Sequence, residues 1–430
     1  MMRASARTLA AVGLVVPVLV MASMALAPTR WARAEETAVG PSWPQWRGPR
    51  RDGASDETGL LQSWPEKGPA LLWTSPDIGR GFSSPIVVGD SIYITGDVGE
   101  NLVIFALGLD GSLRWRATNG ASWKGSHPGA RAACTHDGGR LYHMNAHGRV
   151  ACLEARTGKE LWSADTFERF GARNVTWGTS ESVLIDRKRV IVTAAGEKAL
   201  VAALDAETGQ TLWASPPLEG EITSYSSPIL VETAARRIIV NGGSKNAFAV
   251  DAETGSLLWT HRHPIPENVL GATPIVLKDS LFIPSSSRDH SCIYRLRLDG
   301  SGKEPTQVWS LPIKNGQGGL VHAAGRLYGA NGIAGAEGIV SVDPETGNVS
   351  KVAGDLGFGC AAYADGRIYY LSQRGEVALL KPTEAGAEIV GRFRLVEPRE
   401  KDAWAHPVIH GGRLFLRYHE SLRAYDIRRR

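Results

Sequence analysis

Rings, amides and guanidinium groups recur just ahead of a series of short apolar runs: Phe82, Arg131, Trp177, Tyr225, Gln317, Phe358, Trp404 and His406, with Arg80 and Arg173 nearby. Flat aromatic faces beside hydrogen-bonding groups hold sugars, peptides or planar cofactors, so these eight form a candidate ligand funnel. Groups that would turn binding into bond-making are harder to find. Gly357-Phe358-Gly359-Cys360-Ala361-Ala362 matches G-x-G-x-x-A but leads into a strand, and phosphate binding needs the helix N-terminus that would follow a strand. Gly178-Thr179-Ser180-Glu181-Ser182 lacks the second glycine of a nucleophile elbow, and Tyr418-His419-Glu420-Ser421 lacks the second histidine of a zinc-protease helix. His127, His136, His143 and His147 cluster, yet their spacing fits no standard ligand pattern. No catalytic residue and no metal site is assigned. Cys134, Cys152, Cys292 and Cys360 lie far apart with no C-x-x-C, which reads as buried thiols rather than a redox or metal motif.

The elements that must position the funnel are set by an internal repeat. Three segments, Cys152–Trp162, Ala203–Trp213 and Ala249–Trp259, share the text A-x-D-x-x-T-G-x-x-x-W, with Cys and Glu replacing Ala and Asp in the first. Its recurring residues are Thr157, Gly158 and Trp162, then Asp205, Thr208, Gly209 and Trp213, then Asp251, Thr254, Gly255 and Trp259. Looser copies hold Asp110, Gly111 and Trp115, Asp299, Gly300 and Trp309, and Asp343, Thr346 and Gly347 with Lys351 in the tryptophan's place. Successive tryptophans are 47, 51, 46 and 50 residues apart, the period of a propeller blade. Each copy is preceded by an apolar strand, a turn and a second strand, as in Ser84–Ile94, Thr273–Ile283 and His406–Leu416, with Gly-Asp turning the first of these and Gly-Gly the last.

Four strands per repeat and blade starts near Ser84, Arg131, Thr179, Ser226, Thr273, Gly318, Gly359 and Ala405 predict an all-β, eight-bladed propeller of four-stranded antiparallel blades. Seven blades is the alternative, because the Gly and Trp landmarks fade after Gly347. The last repeat lacks a fourth strand and the first is preceded by an extra one, Ala70–Trp73, so the N-terminal strand is expected to close the ring and hide both sheet edges. In the repeated turn, the Asp carboxylate and Thr hydroxyl accept backbone N–H groups, Gly supplies a left-handed bend, and Trp packs across the next blade. These residues are therefore expected to be structural docking groups. The bland account of the funnel is likewise that its side chains fill the channel.

The chain has 430 residues, 43% hydrophobic and 21% charged, a folded globular profile. Its formal charge of +4 comes wholly from Arg3, Arg7, Arg30 and Arg33, and without them 44 basic residues face 44 acidic ones. Nucleic acid is not an expected partner, since phosphate binding needs a surplus of Lys and Arg. A basic start, an apolar run Leu9–Leu26 and an A-x-A pattern at Ala32 and Ala34 predict a signal peptide over 1–34, export to the periplasm or cell envelope, and no membrane span in the mature chain. Retention of that run as an anchor is the alternative. Residues 35–69, with Trp43, Trp46, Trp64 and several Gly-Pro breaks, read as an irregular strap against the propeller domain, residues 70–430.

The repeat text resembles the docking motif of the quinoprotein (PQQ) propeller superfamily, and eight blades of this period after a signal peptide are similar to the BamB-type outer-membrane assembly propellers. Trp43-Pro44-Gln45-Trp46-Arg47-Gly48-Pro49 resembles the opening of exported PQQ-binding-like repeat proteins. The likeness covers roughly residues 41–427 and is specific for fold. Departures limit what it implies for function: the quinoprotein dehydrogenases hold their cofactor with an adjacent Cys-Cys pair and a calcium ion, and neither adjacent cysteines nor a C-x-x-C-H haem site occurs here. The BamB-type lipid anchor is not expected, the first cysteine being Cys134. The expectation is thus an exported non-catalytic binding or assembly scaffold whose partner is an envelope or periplasmic protein, or a glycan. The alternatives are a PQQ-dependent oxidoreductase with calcium, and a carbohydrate-binding or carbohydrate-cleaving propeller.

Overall fold

Alternating apolar residues in the repeats force each strand to bury one or both faces, and the only partners long enough to cover them are neighbouring repeats. In the computed structural model, which describes Met1 and residues 42–264, 272–286, 290–332, 337–397 and 401–429, this produces eight four-stranded antiparallel sheets. Their innermost strands are Ile86–Val88, Thr135–Asp137, Leu184–Asp186, Ile229–Glu232, Ile275–Leu277, Leu320–Ala323, Gly359–Ala364 and Val408–His410. We number the blades 1 to 8 in that order. Each of the first seven is a meander of four consecutive strands. The eighth combines the last three strands with Ala70–Ser75, which pairs antiparallel with Ser421–Asp426 in the register Ala70↔Asp426 to Ser75↔Leu422. The eight-bladed expectation and its N-terminal closure are both met. Apart from Met1, the expected signal-peptide segment, residues 1–34, lies outside the described residues.

The core sits between blades. One cluster joins Ile92, Ile94 and Phe105 of blade 1 to Tyr369 and Leu371 of blade 7 and to Val408, Phe415 and Leu422 of blade 8, with Trp43, Leu60 and Trp64 of the strap packed into it. The repeated turns tie adjacent blades together. Asp205 Oδ1 accepts from the N–H groups of Glu207 and Thr208 at 3.0 and 2.8 Å, and Asp251 and Asp343 do the same in their turns. Asp110 and Asp299 instead accept from the N–H and hydroxyl of a serine two residues on. In the first full copy the Thr157 hydroxyl donates to Glu154, which holds the Asp position.

Gly209 adopts φ +71°, and a Cβ there would lie 2.5 Å from the Trp162 ring of the preceding blade. Gly111, Gly158 and Gly255 sit equally close beneath Trp73, Trp115 and Trp213, and Gly347 lies 3.3 Å from Trp309. The indoles of Trp73, Trp115, Trp162 and Trp309 donate to carbonyls of the next blade's turn at 2.8–3.2 Å. Trp213 and Trp259 have no acceptor, and Gly300 has no side chain above it.

Residues 43–54 of the strap run along the inner side of the ring. The innermost strand of every blade is an edge, with backbone groups that need partners, and the strap meets all eight. Trp43 bridges Val87 of blade 1, and the Pro44 carbonyl accepts from His136 N of blade 2 at 2.8 Å. Arg51 donates to Ser182 O and Val183 O of blade 3 and to Pro228 O of blade 4. Trp46 Nε1 donates to Thr273 Oγ1 of blade 5 at 2.8 Å, and Arg47 donates to Leu320 O of blade 6. Ala54 bridges Tyr363 of blade 7, and Arg47 Nη1 contacts His406 Nδ1 of blade 8 at 3.3 Å.

Candidate ligand-binding site

Each innermost strand runs away from a connection on one face, the loop face, long in most blades and short before blade 7, toward tight turns on the other. The funnel residues sit at the head of these strands. Phe82, Arg131, Trp177, Tyr225, Gln317, Trp404 and His406 come together around one cavity of about 290 Å3 on the axis. Phe358 is not among its lining residues. The Phe358 ring packs beside Gly316 and Gly332. Of the flanking arginines, Arg80 lines a neighbouring hollow and Arg173 is exposed beside Glu197. A five-residue helix, Thr166–Phe170, capped by Asp165 and ended by left-handed Gly171, occupies the loop before Trp177 and was not expected.

The sequence reading missed the floor. Trp46 and Arg47 of the strap close the cavity from below, so it is blind. Trp46 packs edge-on against His406 with centroids 4.5 Å apart. The walls are rings in mutual contact: Phe82 against Trp404 at 4.7 Å, His127 against Trp404 at 5.0 Å, and Trp177 against Tyr225 at 5.7 Å. His127 holds a positive φ of 55°, a backbone strain that a side chain normally avoids. Arg131 maintains it, donating to His127 O at 2.6 Å and to Trp177 O while lying 5.3 Å over the Trp123 ring.

Charge is distributed one-sidedly. Arg47 and Arg51 are 1% and 2% exposed, Arg417 is equally buried, and Arg131 is half-buried. None of the four forms an ion pair among the described residues. Their donors go mostly to carbonyl oxygens; Arg417 reaches Gly79 O, Ser83 O, Thr95 O and His419 O at 2.5–3.1 Å. Burial pulls the guanidiniums down, Arg47 and Arg131 to about 10 and Arg51 and Arg417 to about 9, so all stay protonated at neutral pH. Among the described residues, no Asp or Glu lines the cavity. The nearest influence of opposite sign on Arg51 is Glu181, whose own carboxyl burial raises to about 7. His406 is driven down to about 3 by burial and by Arg47, and is a neutral ring bonded to Arg47 and, at 2.8 Å, to Gln317 O. His136, His143 and His147 do not join His127 at the cavity, and no group of three or more His, Cys, Asp or Glu side chains suited to a metal occurs among the described residues. All four cysteines are free and buried.

Comparisons with known proteins fit this architecture. Residues 99–353 match the family model described as outer membrane protein assembly factor BamB. The structure of BamB from Moraxella catarrhalis superposes with a TM-score of 0.60 at 17% identity, covering 84% of this chain and 98% of that one. Quinohemoprotein alcohol dehydrogenase from Comamonas testosteroni gives a TM-score of 0.67 at 14% identity over 90% of this chain and 81% of that one. In sequence, quinohemoprotein alcohol dehydrogenase ADH-IIG of Pseudomonas putida is 31% identical over 156 residues, a third of this chain and 21% of that protein. The chain thus spans about a fifth of the length of that curated relative. The two structural likenesses speak for the fold, and the family match covers more than half of the sequence. With the repeat, the eight blades and the ring closure, it places this chain in the outer membrane protein assembly factor BamB family of PQQ-like propellers.

Proposed function

We propose that the protein is an exported, non-catalytic binding scaffold of the periplasm or cell envelope that engages a protein partner through the loop face of its ring. The observation that carries this reading is how the cavity's polar groups are employed. His406 is held between Arg47 and Gln317 O, Arg131 grips two carbonyls, and the Tyr225 hydroxyl accepts from Trp177 N. Each is bonded into a wall, and none is paired as nucleophile and base. Membership of a family named for outer membrane assembly supports an envelope partner, and the basic start and apolar run of residues 1–34 support export. The test is site-specific photocrosslinking in cells. A photoreactive residue at Lys124 or Lys401 on the loop face captures one and the same envelope protein, while one at Lys159 on the turn face captures none. Capture from neither face, or equally from both, overturns the reading.

The likeness to quinohemoprotein alcohol dehydrogenase favours a second reading, a PQQ-dependent oxidoreductase. Calcium is a hard cation that takes six to eight oxygen ligands, carboxylates foremost. Among the described residues the cavity offers guanidiniums and no carboxylate, so these residues do not fit a calcium-held quinone. Titration with PQQ with and without calcium, followed by tryptophan fluorescence, decides between the two: saturable quenching that needs calcium overturns the scaffold reading.

A further inference from the structure

We propose that the blind cavity captures a chain end: the aromatic C-terminal residue of a partner polypeptide, its ring among Trp46, Trp177, Tyr225 and Trp404 and its free carboxylate met by Arg131 and Arg47. The proposal deepens the partner-binding reading and rests on it.

The argument begins with donors left over. A guanidinium carries five N–H donors. Arg47 uses four, on Arg51 O, His406 Nδ1, Asp52 O and Leu320 O. Arg131 uses two, and its Nε is buried with no acceptor. Asp52 and Asp97 act on Arg47 and Arg131 without forming an ion pair among the described residues, so a carboxylate entering the cavity would add the close partner both lack and make charge-assisted hydrogen bonds. A cation would meet repulsion there, and a neutral ligand would leave the spare donors unmet. The aromatic walls supply the other half of the specificity, since rings pack edge-on or offset against rings. An aromatic residue with a free carboxylate carries both features.

Two further observations point to a chain end rather than a free acid. The cavity is blind, so an internal segment would have to enter and double back, whereas an end has only to enter. Nor does the cavity stand alone. Phe82, His127 and Trp404 also line a hollow of about 440 Å3 with Lys401, Asp402 and His419, and Arg80 and Pro128 carry on into another of about 460 Å3 beside Asp77, Asp97 and Glu420. This outward track bears both signs of charge, as suits a peptide of mixed sequence whose terminus is captured at the deep end.

The test titrates the full-length protein with acetyl-Gly-Ser-Gly-Phe bearing a free carboxylate, the same peptide as its C-terminal amide, and N-acetylphenylalanine. The acid peptide is expected to bind saturably and the amide at least about tenfold more weakly. High salt should weaken the acid only, and the gap between acid and amide should close in Arg131→Gln. Equal binding of acid and amide by the unaltered protein, a comparison that needs no variant, overturns the proposal. N-acetylphenylalanine binding as tightly as the peptide overturns the chain-end assignment. Absence of peptide binding while the loop-face crosslinks persist overturns this proposal and leaves the scaffold reading standing; peptide binding without crosslinks does the reverse.

Discussion

Gly209 and Gly300 both stand in the turn between the third and fourth strands of their blades, four residues after Asp205 and one after Asp299, with φ of +71° and +80°, yet differ in what lies above them. At Gly209 an added Cβ would meet three atoms of the Trp162 ring at 2.5, 2.8 and 3.0 Å, and that ring is pinned by its indole bond to Ala206 O at 3.0 Å. At Gly300 it would meet nothing within 4 Å. Alanine at either site bears the left-handed backbone cost, roughly 1–2 kcal/mol. Only Gly209→Ala must also displace a packed ring, an overpacking cost of roughly 1–3 kcal/mol. Gly209→Ala should therefore destabilise by about 2–5 kcal/mol and Gly300→Ala by about 1–2. Urea unfolding of both variants beside the parent protein, compared at equal slope, measures the difference. Equal shifts of the two midpoints would refute the reasoning: glycine would then be required by the backbone alone, and stacking between blades would not constrain it.

Three further outcomes follow from the same geometry. Trp162→Phe gives up an indole bond that Trp213→Phe does not, because Trp213 Nε1 has no acceptor, so the first should cost about 1 kcal/mol more in urea unfolding. Arg51→Lys offers three donors to the four acceptors Gln45 Oε1, Ser182 O, Val183 O and Pro228 O, and should lose roughly 1–3 kcal/mol; an unchanged urea midpoint would show that the fork is not needed. Burial raises the Glu181 carboxyl from 4.5 to about 7, so its contribution to stability is fully present below pH 4.5 and is lost as pH rises through 7. Glu181→Gln should consequently be more stabilising at pH 8 than at pH 5, by on the order of 3 kcal/mol at most, and an equal effect at both pH values would discount the buried charge.

The fold was legible because the repeat writes one supersecondary unit many times over, and because four copies carry the turn glycine and the tryptophan four residues apart. Even the closure could be read, from one strand too many at the front and one too few at the back. The funnel was legible by position: whatever precedes the first strand of a blade must crowd the axis, which brought Phe82, Trp177 and Trp404 together. Phe358 does not line the cavity, and the approach to blade 7 is short. The floor was not legible. Arg47 and Arg51 stand in an arginine-rich stretch that looks like a solvated surface, and nothing local distinguishes an arginine destined for the axis. What calls them inward is the ring of unpaired carbonyls on the innermost strands, a feature that exists only once all eight blades are in place.

The strap's path also sets an order of events. Its residues are synthesised first, yet their partners are spread over the whole chain: Trp43 needs Val87, Arg47 needs Leu320 and His406, and Ala70 waits for Asp426. Contacts so distant in sequence form slowly, since the loop between them must close before they are rewarded. A chain still emerging can build its middle blades one after another, but it has neither a floor to the cavity nor a sealed ring until its last strands arrive. Competence to bind therefore reports completion, and a truncated or half-folded copy presents no cavity for a partner to mistake for the finished one.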